Sequence, residues 1–261
     1  DQPCGQRSTV VANRRELLCS TGSWSDDRQE ERLGTIVVLL LDLARGLACL
    51  WVFFFHLGNL FDAPSPLIAS IASFGHLGVP MFFVISGYVI THVAEASLRA
   101  NKPTLHFLRN RFRRIYLTYW ASLLLILLLP YALEMLSSLK TGEFELPENP
   151  LSRYNASEWL NVILLTKVFW ANSSDLASEF AGINTVYWTL AIEFQFYLVV
   201  FMALCMGRFY RAVIALVTIA SLLLIVIPNE LNYGVFLHYW PAFSVGILLA
   251  YLHQYDIRLR L

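Results

Sequence analysis

Residues 40–61, LLDLARGLACLWVFFFHLGNLF, decide how the chain is read. The stretch is apolar enough to lie in a membrane, yet it carries Asp42, Arg45 and His56. An ionisable residue inside a spanning segment costs about 2.5–3.5 kcal/mol on insertion scales and by default marks a functional site. Ten residues separate Arg45 from His56. On an α-helix that offset turns about 1,100°, within ~20° of three full turns, and rises ~16 Å. The two side chains therefore share one face at depths about half a bilayer apart.

The rest of the composition agrees with a membrane setting. Hydrophobic residues make up 57% of the 261 residues and charged residues 15%, and long apolar runs recur, which places the chain among helical membrane proteins. The ten-residue alternation of an outer-membrane barrel is absent. Formal net charge is zero, so nothing points to a nucleic-acid partner and none is expected. Cys4, Cys19, Cys49 and Cys205 are scattered without histidine support, so no metal site is expected. Cys49 and Cys205, in apolar helices, read as buried thiols. No HExxH, phosphate-cradling glycine loop or GxSxG elbow occurs, and no tightly bound cofactor is expected.

Hydropathy and charge divide the chain. Residues 1–33 are polar and aperiodic and read as a disordered cytoplasmic leader; residues 34–261 read as the membrane domain. The expected spans are Thr35–Leu60, Phe74–Ala96, Ile115–Leu136, Val186–Met206, Tyr210–Ile227 and Tyr233–His253. Arg99 to Arg114 holds six basic residues and no acid, which the positive-inside rule puts in the cytoplasm. Tyr116, Tyr119 and Trp120 are then aromatic anchors near the inner end of the third span. Gly75, Gly78, Ser86 and Gly87 suit close helix approach. Residues 137–185 form the extracytoplasmic loop. Within it Trp159–Trp170 is apolar but too short to cross, and reads as an interfacial or re-entrant helix. The triplets at Asn155 and Asn172 match the glycosylation acceptor pattern, which is common by chance. Fold class is thus an all-α membrane bundle of about six spans, both termini cytoplasmic, in the plasma (inner) membrane.

Each charged residue inside the bundle has an ordinary role beside a chemical one. His56 is either a capped interfacial histidine or a neutral imidazole able to take a hydroxyl proton. Arg45 can pair with Asp42 three residues earlier; the same pairing would present its guanidinium to a phosphate or carbonyl. Glu193, in VYWTLAIEFQFYLVV, has Thr189 and Tyr197 one turn away on either side. It can neutralise Arg45, orient His56 or act as acid or base itself. Trp188 and Gln195 read as supporting or interfacial residues. Arg111 and Arg114 share a face and serve either topology and lipid contact or an anionic, phosphate-bearing cytosolic ligand.

Four blocks in order, LDLARGLACLWVFFFH (41–56), GVPMFFVISGYVI (78–90), RNRFRRIYLTYW (109–120) and VYWTLAIEFQFYL (186–198), resemble the membrane acyltransferase 3 family. A weaker fifth match runs from Trp240 to Gly246. The resemblance implies an O-acyltransferase that moves an acyl group, typically acetyl, from cytosolic acyl-CoA to a hydroxyl of an exported glycan or similar acceptor. It makes His56 the catalytic histidine with Arg45 its partner, places Arg111 and Arg114 at the acyl-CoA donor, and puts Glu193 on the family's acidic position. Asp42, Trp188 and Tyr197 join them as substrate-binding candidates. Leu117 and Phe194 depart from the family pattern, which has a proline and a second acid there. Six spans are fewer than relatives carry, so the resemblance also implies a member truncated at its C-terminal side. Two other readings compete with transfer: a proton-coupled transporter subunit using Arg45, His56 and Glu193 as a relay, and an inactive fragment of an acyltransferase.

Overall fold

The computed structural model describes residues 39–56, 70, 73–144, 146–170, 176, 178–180, 183–226 and 235–260. The expected 1–33 leader lies outside them. Every regular element among the described residues is helical. Five helices are long and apolar enough to cross a membrane: Leu39–His56, Phe74–Arg99, Thr104–Thr141, Tyr187–Cys205 and Gly207–Val226. We number the α-helices α1 (Leu39–His56), α2 (Gly78–Arg99), α3 (Thr104–Thr141), α4 (Ala156–Ile163), α5 (Tyr187–Cys205), α6 (Tyr210–Val226) and α7 (Trp240–Arg260). The chain separates into two compact units, residues 1–78 and 79–261.

In the first unit, α1 meets the 3₁₀ turn Phe74–Leu77 and the first residue of α2. Two glycines permit the approach. A Cβ on Gly75 would overlap the carbonyl oxygen of Trp51, and one on Gly78 would come 2.7 Å from both Ala48 O and Val52 Cγ2. Phe55 sits edge-on to His56 and His76, with ring centroids 5.4 and 6.1 Å apart.

In the second unit, α3 and α5 run antiparallel in a register fixed by side-chain pairs. Thr104 faces Cys205, Arg111 lies over the Tyr197 ring, Tyr116 meets Phe194 edge-on, and Ser122 bonds the Tyr187 hydroxyl at 2.7 Å. Helix α7 crosses α2 at Gly87 and Gly246, where added Cβ atoms would overlap Phe243 O and Val84 O. Small residues at a membrane crossing let backbones touch. The core there is a ring stack: Phe243 lies 4.6 Å from Phe83 and 3.9 Å from Phe196, centroid to centroid.

Two expected boundaries and one expected burial are corrected. The third helix begins at Thr104, not Ile115, so Arg109 to Arg114 belong to its body and not to a preceding loop. Pro103, with φ −55°, starts it, and nothing breaks it until Gly142, whose φ of 77° is the left-handed stop. Arginine is a good helix former, and charge alone does not end a helix. The last helix begins at Trp240 after a 3₁₀ turn at Phe236–His238 and is not among the five that are apolar enough to cross. Cys49 and Cys205 are exposed on the protein surface, not buried; in an apolar bundle without an aqueous core, a thiol suits the outward face as well as the inner one.

The short apolar segment of the long loop is helical only in part. Helix α4 covers Ala156–Ile163, and a 3₁₀ turn follows at Lys167–Trp170. Asn155 starts α4 through a capping box: its Oδ1 accepts from Glu158 N at 2.9 Å, and Glu158 Oε2 accepts from Asn155 N at 3.0 Å. The acceptor-like triplet at Asn155 thus has a structural use. At the end of α4, three carbonyls point at α3. The Tyr116 hydroxyl donates to Leu164 O at 2.8 Å, the Tyr119 hydroxyl to Val162 O at 2.6 Å, and Trp120 Nε1 to Ile163 O at 3.1 Å. The three aromatics expected as interfacial anchors bond the carbonyls at the end of α4, where the helix gives way to irregular chain. This seating fits the interfacial or re-entrant reading of Trp159–Trp170.

Candidate functional site

Arg45 and His56 lie on α1 with the expected spacing, in the first unit. The buried stripe of α1 is Arg45 and Ala48, with Val52 and His56 half-buried further along the same face. Arg45 Nη1 stands 4.0 Å from Asp42 Oδ1. The Asp42 side chain is 65% exposed against 10% for Arg45, and at 4.0 Å the contact is ionic and longer than a hydrogen bond.

The second unit brings three of the other candidates together. Glu193, on α5, is 5% exposed. Its Oε1 accepts hydrogen bonds from Ser86 Oγ on α2 at 2.8 Å and from the Tyr197 hydroxyl one turn along α5 at 2.5 Å. The Arg111 guanidinium of α3 lies over the Tyr197 ring, 5.7 Å from its centroid, and over the Phe107 ring at 5.8 Å. Three helices therefore meet around one phenol, whose hydroxyl bonds the carboxylate while its ring faces the cation. Arg114 follows three residues after Arg111 on α3 and is exposed.

The register gives depth. Tyr197 is ten residues, or ~15 Å, from the first residue of α5 and eight, or ~12 Å, from its last. Arg111 is thus level with the middle of α5. Sequence analysis put it at the boundary because it put the helix start eleven residues late.

Trp188 packs against Tyr239, centroids 5.1 Å apart, and Gln195 Oε1 accepts from Phe236 N at 3.0 Å. Gln195 thereby ties α5 to the 3₁₀ turn before α7. Among these contacts Tyr197, and not Trp188, reaches the Glu193 carboxylate. Ser86 was legible only as a small residue; its hydroxyl bond to a carboxylate 107 positions later has no local signal. A second buried acid, Glu95, passed unremarked in the apolar run of α2. It joins Arg211 and Tyr251. Among the described residues no group of three or more His, Cys, Asp or Glu is placed to hold a metal.

A buried carboxylate fixed by hydroxyls beside an arginine, inside an apolar helical bundle, suits chemistry on a polar group shielded from water. The family comparison agrees. The acyltransferase 3 family model, described as an acyltransferase domain, matches residues 38–261. The chain belongs to that family and is a multi-pass membrane acyltransferase. No curated protein and no solved structure matches it.

Proposed function

We propose that the protein transfers an acyl group, acetyl in the simplest case, from acyl-CoA on the cytoplasmic side to a hydroxyl of an exported glycan or similar acceptor. The observation that carries this reading is the run Arg111–Tyr197–Glu193–Ser86, which sets a cation suited to a phosphate-bearing donor one side chain away from a buried carboxylate.

In this reading Arg111 and Arg114 hold the donor phosphates. His56 Nε2 or Nδ1 takes the proton of the acceptor hydroxyl as its oxygen attacks the thioester carbonyl. Arg45 faces the oxyanion that develops there. Collapse of the tetrahedral species breaks the carbon–sulfur bond, and the imidazolium returns the proton to the leaving CoA thiolate. Products are the acyl ester and free CoA, with no net proton change. Glu193, held by Ser86 and Tyr197, supplies a carboxylate of fixed orientation to the reaction. Exclusion of water from the bundle protects the thioester from hydrolysis.

The test is acyl transfer by a His56→Ala variant, with membrane abundance matched to wild type. A loss of about 10²–10⁴-fold is expected for removal of a general base. Wild-type turnover at equal abundance removes the assignment. Replacing Arg111 and Arg114 together by alanine is expected to raise the acyl-CoA concentration needed for half-maximal rate; an unchanged dependence on donor removes the donor site.

A further inference from the structure

The end of the second unit where α2 and α5 finish and α3 and α6 begin carries a second group of charges. Its centre is Glu95, 4% exposed. Arg211 of α6 donates from Nε to Glu95 Oε1 and from Nη2 to Oε2, both at 3.0 Å. The Tyr251 hydroxyl of α7 donates to Oε1, also at 3.0 Å. Arg99, one turn past Glu95, places Nη2 3.9 Å from Oε2 and donates from it to Gln254 Oε1 at 3.1 Å. Gln254 Nε2 faces His92 Nδ1 at 3.3 Å, and the Tyr88 hydroxyl faces His253 Nδ1 at 2.7 Å.

An arginine at a membrane boundary is ordinarily a mobile side chain with a hydrated head. These two differ because a buried carboxylate chelates Arg211, while Arg99, in ionic contact with the same carboxylate, is held by its hydrogen bond to Gln254. Side-on chelation occupies Nε and Nη2 of Arg211, so covalent geometry turns its Nη1 away from Glu95. Both side chains still open outward, Arg211 64% and Arg99 58% exposed. Two guanidiniums against one carboxylate leave a net charge of +1 on the contacting ionised groups. Lys102 and Arg208 add positive charge on the adjoining turns. A planar donor fork already held in place recognises a tetrahedral oxyanion with little further loss of side-chain freedom.

We propose that Arg211, chelated by Glu95, and Arg99, held by Gln254, form a phosphate-binding site at this end of the bundle, separate from Arg111. Along α3 the two levels, Thr104 and Arg111, are seven residues or ~10 Å apart. The inference does not rest on the proposed donor role of Arg111. The ligand atom is a phosphate oxygen, whose source is either a phospholipid headgroup or a soluble phosphate compound.

The experiment uses the full chain in nanodiscs. Pyrophosphate binding is measured by calorimetry in phosphatidylcholine discs, and phosphatidylglycerol retention by native mass spectrometry from mixed discs. The deciding variant is Arg99→Gln, an exposed position whose change leaves the Glu95–Arg211 pair intact. The second is the double change Glu95→Gln with Arg211→Gln, which replaces the ion pair by two amides. Wild type is expected to bind at least one probe, and each variant to bind that probe about tenfold more weakly, as expected for one lost charge-assisted hydrogen bond. Weakening for phosphatidylglycerol assigns the headgroup; weakening for pyrophosphate assigns a soluble phosphate. The proposal is overturned if wild type binds neither probe, or if either variant binds both as wild type does.

Discussion

Two buried glutamates sit in the second unit, and they are held in opposite ways. Glu95 is chelated by a guanidinium through both oxygens and capped by a phenol. Glu193 receives hydroxyls on one oxygen, from Ser86 and Tyr197, while Arg111 faces the phenol ring. A carboxylate closed by a bidentate ion pair is committed to structure, because every change of its charge breaks the chelate. One held by hydroxyls is positioned by neutral donors, each of which can also turn to accept. The same residue type is thus held by a charged fork at one place and by neutral hydroxyls at another.

The largest test of that contrast is a pair of isosteric changes. Glu193→Gln is expected to cut acyl transfer by about 10²–10⁴-fold, the range for loss of an acid–base group, while the thermal midpoint in detergent stays near wild type because the amide oxygen still accepts from Ser86 and Tyr197. Equal activity in the two proteins would break the comparison. For Glu95 the asymmetry lies in its partner. Arg211→Ala strands a buried carboxylate and is expected to cost about 3–5 kcal/mol, whereas Glu95→Gln releases an arginine that is already exposed and costs less. The two midpoints measured side by side check the order.

The glycine crossing sharpens the comparison further, because Gly87 adjoins Ser86 on the helix that also carries Glu95. Gly246→Ala pushes a methyl into Val84 O and comes 2.7 Å from Tyr88 N. A cost of about 1–3 kcal/mol is expected for that overpacking, with a loss of acyl transfer beyond what stability explains as Ser86 leaves Glu193. Gly46→Ala is the control: nothing lies within 4 Å of its added methyl, so it is expected to hold or gain up to about 1 kcal/mol from helix propensity. The smallest effect belongs to Tyr119→Phe, which removes the bond to Val162 O and touches neither glutamate. About 1 kcal/mol is expected, read as a small drop in midpoint with donor dependence unchanged.

Much of this architecture was legible from period and charge. Spans at 39–56, 78–99, 187–205 and 210–226 lie close to their expected limits because apolar runs there end at glycine, proline or basic turns. The α1 stripe follows from helical geometry alone. The start of α3 lies eleven residues before the expected Ile115 because arginine continues a helix readily, and Arg111 is therefore a helical residue packed on α5. Nor could spacing show that Ser86 meets Glu193, or Glu95 meets Arg211, across more than a hundred residues. Those pairings depend on which helix faces touch, and the glycines that decide this are silent until a partner backbone is known.

Helix α3 has one more consequence. Its 38 residues make a rod of about 57 Å, nearly twice the ~30 Å thickness of a bilayer's hydrocarbon layer. The part from Thr104 to Ser122 is paired with α5. The remainder, rich in exposed leucines, contains Pro130, which cannot donate to the turn before it. Tilt and bilayer thickness must be reconciled somewhere along this rod, and the proline is the joint where bending costs least. Bending at the proline would leave the half bearing Arg111 in its register with α5.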